Sequence, residues 1–541
     1  MTLSSGGEAI VGGLVAHGVD TVFGLPGAQI YGLFDAFQQA QLKVIGARHE
    51  QACGYMAFGY ARSTGRPGVF SVVPGPGVLN AGAALLTAFG SNEPVLCLTG
   101  QVPTQFLGKG RGHLHEMPDQ LATLRTFVKW ADRVEYPDAA PVAVARAFQE
   151  MLSGRRGPAS LEMPWDVFTQ RSEVGAARVF DPFPPPQPDP ERITAAAALI
   201  AASRTPMIFV GSGAVDAGGE VLELAELIDA PVVAFRSGRG IVSNAHELGL
   251  TMAAAYRLWP RTDLMIGIGT RLELPTMSRW PYRPDGQKCI RIDIDPAEMR
   301  RFAPDAAVVA DAKAGTEALL AAVRKQGYRR TNGRRDAIRE ASAAAHREIQ
   351  QVQPQMAYLN ILREVLPPQA IVTDELSQVG FASWYGFPIY EPRTFITSGY
   401  QGTLGSGFPT ALGAKVAHPD TPVVAITGDG GFMFGVQELA TAVQFGIGVV
   451  VLVFNNNSYG NVRRDQRERF DGRVVAADLV NPDFVKLAES FGVGAARVTS
   501  PDAFRPALEE ALEYGGPYLI DIEVVRDSET SPWAFIHPAK P

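Results

Sequence analysis

The sequence predicts an α/β protein built from three doubly wound parallel-sheet domains. Short apolar runs alternate with amphipathic helical segments, the pattern of parallel sheets wrapped by helices. Most of these runs end in glycine-rich or polar turns, as expected at the carboxyl ends of strands that bind ligands. The 541-residue chain has length for about three domains. It is interrupted by a proline run near Phe180 and by a stretch rich in Arg, Glu and Gln from Arg324 to Gln351. The expected divisions are a first domain at 1–168, a linker at 169–190, a central domain at 191–327, a helical connector at 328–354, a third domain at 355–527 and a tail at 528–541.

Taken in order, Gly6 to His17 reads as a helix and Thr21-Val22-Phe23 as a strand ending in Gly24-Leu25-Pro26-Gly27. Helix Ile30–Ala40, strand Lys43–Ala47 and helix Glu50–Ser63 follow, then strand Val69–Val73 and the turn Pro74-Gly75-Pro76-Gly77. After another helix, strand Pro94–Thr99 closes at Gly100-Gln101, and strand Ala159–Met163 completes the unit. The run DPFPPPQPDPER cannot enter a sheet interior and reads as a semi-rigid spacer. Helix Ile193–Ala202 and strands Met207–Gly211, Val232–Phe235, Leu264–Gly267 and Cys289–Ile294 form the central domain. The segment from Arg324 to Gln351 has little apolar content and reads as an exposed helix. The third domain includes strand Ile371–Thr373, the turn Asp374-Glu375-Leu376-Ser377 and a closing strand, Tyr518–Val525.

Composition narrows the function. A 46% hydrophobic content supports large cores, and a net charge of −7 without a basic block argues against nucleic acid and anionic membranes as partners. Cys53, Cys97 and Cys289 are scattered, so neither a disulfide framework nor a zinc site is indicated. The amino terminus lacks a basic leader, and no run of about 18 apolar residues suggests a membrane span, so the expected location is the cytoplasm.

The most informative stretch is VVAITGDGGFMFGVQELATAVQFGIGVVVLVFNNNSYG, Val423 to Gly460. It reads as strand, tight turn, helix, strand, with both polar turns at carboxyl ends of neighbouring parallel strands. Asp429 and Asn456 are thereby expected side by side, with Gly430 and Gly431 exposing backbone N–H groups. A carboxylate, an amide oxygen and main-chain carbonyls suit Mg²⁺, which shares its oxygen ligands with phosphates. In Gly112-His113-Leu114-His115-Glu116, alternate residues of an extended stretch point one way, so His113 and His115 are expected to face one cavity as proton donors. Gln101, at a strand end, is a further candidate lining residue.

GDGG followed by helix, strand and NNxxxG, together with RHEQACGYMAFGYARSTGRPGV from Arg48, resembles the thiamine diphosphate enzymes, specifically the acetolactate synthase-like group. The resemblance covers nearly the whole chain. It implies a pyrimidine-binding first domain, a Rossmann-like central domain and a diphosphate-binding third domain. It also implies Mg²⁺ held by Asp429, Asn456 and the Ser458 carbonyl. Leu376, Ser377, Gln378, Gly428, Gly430, Gly431, Tyr459 and Gly460 complete the implied diphosphate site. Glu50 would hydrogen-bond the cofactor pyrimidine, in an apolar cleft, and promote proton transfer within the cofactor. Gly402 would bond the aminopyrimidine, and Leu404 would wedge between the two rings to preorganise them. The implied reaction is decarboxylation of a 2-oxo acid to an enamine, then transfer to an aldehyde or 2-oxo acid acceptor. The implied assembly is a homodimer or homotetramer with active sites between subunits.

Departures from acetolactate synthase proper are local. The cofactor-facing Phe-Gln-Glu is here Leu114-His115-Glu116, the pocket tryptophan is Asp465, and the flavin-domain Gly-x-Arg-Phe-Asp-Asp-Arg is Gly269-Thr270-Arg271-Leu272-Glu273-Leu274-Pro275. The acceptor-binding arginine is therefore absent, and the histidine pair is similar to that of 2-oxo acid decarboxylases. Gly211-Ser212-Gly213 is too short a glycine signal to fix a dinucleotide site, so the central domain is compatible with FAD or with none. A decarboxylase releasing an aldehyde and a flavin-dependent 2-oxo acid oxidase are the alternative activities.

Overall fold

The computed structural model describes residues 1–277 and 279–540. Three six-stranded sheets are present, and every strand pair within them is parallel. The first runs Lys43–Gly46, Thr21–Gly24, Gly68–Val72, Val95–Gln101, Ala159–Pro164, Trp130–Arg133 across the sheet. The second runs Gly249–Leu250, Val232–Ala234, Pro206–Val210, Leu264–Ile268, Lys288–Asp293, Ala306–Val309. The third runs Phe395–Ile396, Ile371–Asp374, Val423–Gly428, Val450–Asn455, Tyr518–Glu523, Gly494–Val498. The inner strands are buried along nearly their whole length, which is why they read as continuous apolar runs.

All three sheets reverse their winding direction between two adjacent strands. In the third sheet this happens between Ile371–Asp374 and Val423–Gly428, and in the central sheet between Pro206–Val210 and Leu264–Ile268. Loops leaving the carboxyl ends of such a strand pair diverge and leave a crevice. The turns Glu375-Leu376-Ser377 and Asp429-Gly430-Gly431 therefore open into one crevice.

The first and third domains are joined by helices Glu50–Thr64 and Gly407–Ala417, which cross at backbone contact. A Cβ on Gly59 would collide with the Thr410 carbonyl, and one on Gly413 with that of Met56. Only glycine permits that approach.

Three segments differ from the sequence reading. Helix Arg334–Ile349 is not simply exposed: Ile338, Ala341, Ala345 and Ile349 form a buried stripe against helix Met252–Leu258. Within the expected linker, Arg171–Val174 pairs antiparallel with Thr2–Ser5. Strand Trp130–Arg133 closes the edge of the first sheet, although its polar sequence gives little strand signal. The tail is docked and includes helix Trp533–Ile536, whose Ile536 is fully buried.

Candidate active site

In the crevice of the third sheet, Asp429 and Asn456 meet through Ser458. The Ser458 N–H lies 3.1 Å from Asp429 Oδ2 and 3.1 Å from Asn456 Oδ1, and its hydroxyl donates to the same Asn456 oxygen at 2.8 Å. Asn481 Nδ2 adds a 2.7 Å bond to Asp429 Oδ2. Asp429 is 2% exposed, and burial raises its pKa against the opposing effect of these hydrogen bonds. The glycines are sterically required. A Cβ on Gly430 would enter the Tyr459 ring, and one on Gly460 would lie 2.7 Å from Asn456 Nδ2. Among the described residues no group of three or more His, Cys, Asp or Glu could hold a metal. A cation here would depend on one buried carboxylate, one amide oxygen and a main-chain carbonyl, with phosphate completing the shell. That donor set fits Mg²⁺, and the bare glycine turn leaves a cradle for phosphate.

The opposite wall comes from Glu375–Gln378 and Gly402–Gly405. Ser377 caps helix Gln378–Gly386 by accepting the Gly380 N–H at 3.0 Å, and Gln378 Oε1 accepts from Arg464 at 3.0 Å. Gly402 and Gly405 adopt φ of +59° and +78°, and a Cβ on Gly402 would lie 3.3 Å from the Leu376 side chain. Leu404 is half-buried in the turn ahead of helix Gly407–Ala417, clear of the buried core clusters.

Glu375 was not anticipated as a site residue. It is 2% exposed, accepts the Gly405 N–H, and would lie 2.5 Å from a Cβ on Gly431, so it braces the two turns together. Burial pushes its carboxyl up to about 8, while the neighbouring Asp374 is pushed up to about 7 despite the Trp384 indole and the Arg236 and Arg239 guanidinium groups. The sequence signal was available: two acidic residues directly ending an apolar strand.

Glu50 opens helix Glu50–Thr64, and the preceding His49 caps that helix through the Gln51 N–H at 3.1 Å. Glu50 is half-buried and accepts from Asn80 at 3.0 Å. Among the described residues no hydrogen bond joins it to Asp429 or to Gly402–Gly405. The apolar cleft expected around Glu50 is not closed by this chain alone.

The histidine pair does not occupy an extended stretch. The Glu116 N–H bonds the His113 carbonyl at 2.9 Å, making a turn, and His115 has a φ of +63°. His113 packs on Phe106 with ring centres 5.0 Å apart, whereas His115 Nδ1 lies 2.8 Å from Gln29 Oε1. Partial burial lowers the pKa of His115, and the charge of Glu50 opposes that effect. Gln101 is 4% exposed and turned into a polar cluster, with its oxygen on the Val102 N–H at 2.8 Å and its amide 3.4 Å from Glu162. It supports the strand end rather than lining an open cavity.

The central sheet has its own crevice, lined by Arg62, Arg155, Arg271, Lys313 and Arg393 beside Gly211-Ser212-Gly213. The two glycines have a packing role: a Cβ on Gly211 would lie 2.5 Å from the Gly269 carbonyl, and one on Gly213 would lie 2.9 Å from Gly269 Cα. Arg62, Arg155, Lys313 and Arg393 are paired with carboxylates, while Arg271 stacks over Tyr400 at 4.7 Å.

Three parallel-sheet domains with crevices at their reversal points, one of them a glycine turn beside a buried carboxylate, define a cofactor-binding α/β enzyme. Comparison with known proteins narrows the class. The N-terminal TPP binding domain, the central domain and the C-terminal TPP binding domain of thiamine pyrophosphate enzymes match residues 4–123, 193–319 and 376–522. A probable acetolactate synthase large subunit of Methanocaldococcus jannaschii is 35% identical, covering 97% of this chain and 93% of that protein. A probable 2-ketoarginine decarboxylase of Pseudomonas aeruginosa is 32% identical over 95% of this chain and 93% of that protein. Acetolactate synthase isozyme 1 large subunit of Escherichia coli is 29% identical over 99% and 96%. The chain belongs to the thiamine pyrophosphate enzyme family and is of the acetolactate synthase-like kind. Among the described residues no helix is long and apolar enough to cross a membrane.

Proposed function

We propose that the protein uses thiamine diphosphate and Mg²⁺ to break the bond between the carboxylate and carbonyl carbons of a 2-oxo acid, with loss of CO₂, and to join the remaining carbonyl carbon to an aldehyde or 2-oxo acid acceptor. The observation that carries this reading is the Asp429–Ser458–Asn456 cluster facing the Glu375–Gln378 turn in one crevice. The cofactor supplies the carbon nucleophile and electron sink. Asp429, Asn456 and the Ser458 carbonyl would hold the metal, and Gly428, Gly430, Gly431, Tyr459, Gly460, Leu376, Ser377 and Gln378 would hold the diphosphate. Leu404, standing clear of the core, would pack against the cofactor and help to orient it. Glu50 holds a proton at the pyrimidine nitrogen, and His115 is placed to move a proton near it.

The site is completed by a second copy of the chain. Leu79, Leu86 and Phe89 on helix Pro76–Ser91 are 55%, 36% and 38% exposed, on the helix that carries Asn80, the partner of Glu50. An apolar helix face beside a half-exposed catalytic carboxylate fits an interface in which another subunit covers Glu50. A homodimer or homotetramer in the cytoplasm is the form that acts.

Aldehyde release is the second reading, favoured by Pro275 standing where an acceptor-binding arginine is expected. FAD, the second cofactor that the resemblance allows, would occupy the Arg271-lined crevice and make the purified protein yellow. The deciding experiment is product analysis with thiamine diphosphate, Mg²⁺ and pyruvate. Acetolactate supports ligation, acetaldehyde with CO₂ supports simple decarboxylation, and O₂ consumption by a yellow protein supports the oxidase. Failure of the protein to bind thiamine diphosphate in calorimetry overturns the reading.

A further inference from the structure

The tail after strand Tyr518–Glu523 runs across the turn that carries Asn456. Arg526 donates to the Asn456 and Asn457 carbonyls at 3.4 and 2.7 Å, and Glu529 accepts from Asn456 Nδ2 at 2.7 Å. The tail is pinned between these contacts and beyond them. Asp527 pairs with Arg463 and Arg467 of helix Gly460–Arg469, and the Trp533 indole N–H donates to Asn461 on the same helix at 2.7 Å. The Thr530 N–H bonds the Gln353 carbonyl at 2.9 Å, and its carbonyl accepts from Gln355 at 2.6 Å. None of these tail residues belongs to the set that the glycine and asparagine motifs identify.

An amide ligand is useful to a hard cation only with its oxygen facing the metal. Its two ends are nearly equal in size, so orientation depends on what bonds each end. At Asn456 the oxygen end is fixed by the Ser458 N–H and hydroxyl. The nitrogen end is fixed by the Glu529 carboxyl, and Arg526 anchors the backbone beneath it, where Asn457 sits at a φ of +53°. We propose that Glu529 is a positioning residue of the metal site: the docked tail holds the Asn456 amide with its oxygen turned to the cation. This inference assumes the metal site assigned above. Partners that orient a metal's ligands commonly account for 10–100-fold in affinity.

The test is Mn²⁺ binding in the presence of thiamine diphosphate, followed by the electron paramagnetic resonance signal of free Mn²⁺ in wild type, E529A and E529Q. Glutamine keeps an acceptor oxygen for the Asn456 N–H, whereas alanine keeps none. The expected result is Mn²⁺ affinity about 10-fold or more weaker in E529A and within about 3-fold of wild type in E529Q. The metal-free melting temperature is expected to be unchanged in both variants. Unchanged Mn²⁺ affinity in E529A overturns the inference. Equal weakening in both variants, with a lowered metal-free melting temperature, also overturns it, because general undocking of the tail then accounts for the loss. Absence of Mn²⁺ binding by wild type overturns the metal site itself, an outcome distinct from the other two.

Discussion

Replacing Glu375 by glutamine should remove a pH-dependent weakness from the third domain. The carboxyl is 2% exposed, and burial moves it from its ordinary 4.5 to about 8. A carboxyl whose pKa is higher in the folded state contributes its full stability below the unfolded value and loses it as pH rises through the folded value. A shift of about 3.5 units corresponds to about 5 kcal/mol in all at about 1.4 kcal/mol per unit. Roughly half of that is lost between about pH 6 and pH 9, since part has already gone by pH 6. Glutamine has nearly the same shape, can still accept the Gly405 N–H, and does not ionise. Thermal melts of both proteins at about pH 6 and pH 9 are the assay. At roughly 2–4 °C per kcal/mol for a domain of this size, wild type should lose about 5 °C or more beyond the loss in E375Q. Asp374, pushed up to about 7, also raises Glu375 through its charge, so the two titrate as a coupled pair and E375Q removes that coupling as well. Parallel losses would refute the reasoning, because they would mean Glu375 is already ionised at pH 6 or gains a compensating partner.

Glu50→Gln should leave thiamine diphosphate affinity within about 3-fold of wild type and lower kcat about 100-fold, the usual scale for a lost proton-transfer group; full activity would remove Glu50 from its role. Asp429→Asn should abolish metal-dependent cofactor binding by calorimetry while the metal-free protein keeps its circular dichroism, because one buried carboxylate supplies the site's main negative charge. Leu404→Ala should cost about 10–100-fold in kcat with a smaller change in cofactor affinity, and equal losses in both would mean that the side chain only packs.

The parts of the site legible in the sequence are those made by neighbours along the chain. Thr427 to Gly431 and Asn455 to Gly460 each place several functional groups within one turn, so residue type and spacing suffice. The expectation that His113 and His115 face one cavity rests on an extended backbone, and the left-handed φ at His115 breaks that alternation. Gln101 was misplaced because its partner, Glu162, comes from another strand. Helix Arg334–Ile349 looks exposed in the sequence because its buried stripe is short, Ile338, Ala341, Ala345 and Ile349, and gives a small burial signal beside the surrounding arginines. Glu529 was invisible for the same reason as Glu162: it lies 73 residues from Asn456, and only tertiary docking joins them.

The three sheets repeat one topology, so their chemistry must come from what stands at each reversal point. In the third sheet it is a glycine turn, a buried aspartate and a buried brace, Glu375, the groups that the proposed function assigns to a cation and an anion. In the central sheet it is a set of basic side chains, of which Arg62, Arg155, Lys313 and Arg393 are balanced by carboxylates within the chain and Arg271 is stacked on an aromatic ring. In the first sheet the glutamate expected to hold the cofactor's pyrimidine opens a helix next to exposed Leu79, Leu86 and Phe89, and no hydrogen bond ties it to the diphosphate crevice of its own chain. A carboxylate in that position is solvated and reaches no ring. Its chemistry begins only when an apolar surface covers it, and the exposed leucines beside it are the surface such a cover would bury. On the proposed function, catalysis and assembly are one requirement: a subunit that stayed monomeric should bind diphosphate and metal through Asp429 and Asn456 yet turn over no 2-oxo acid.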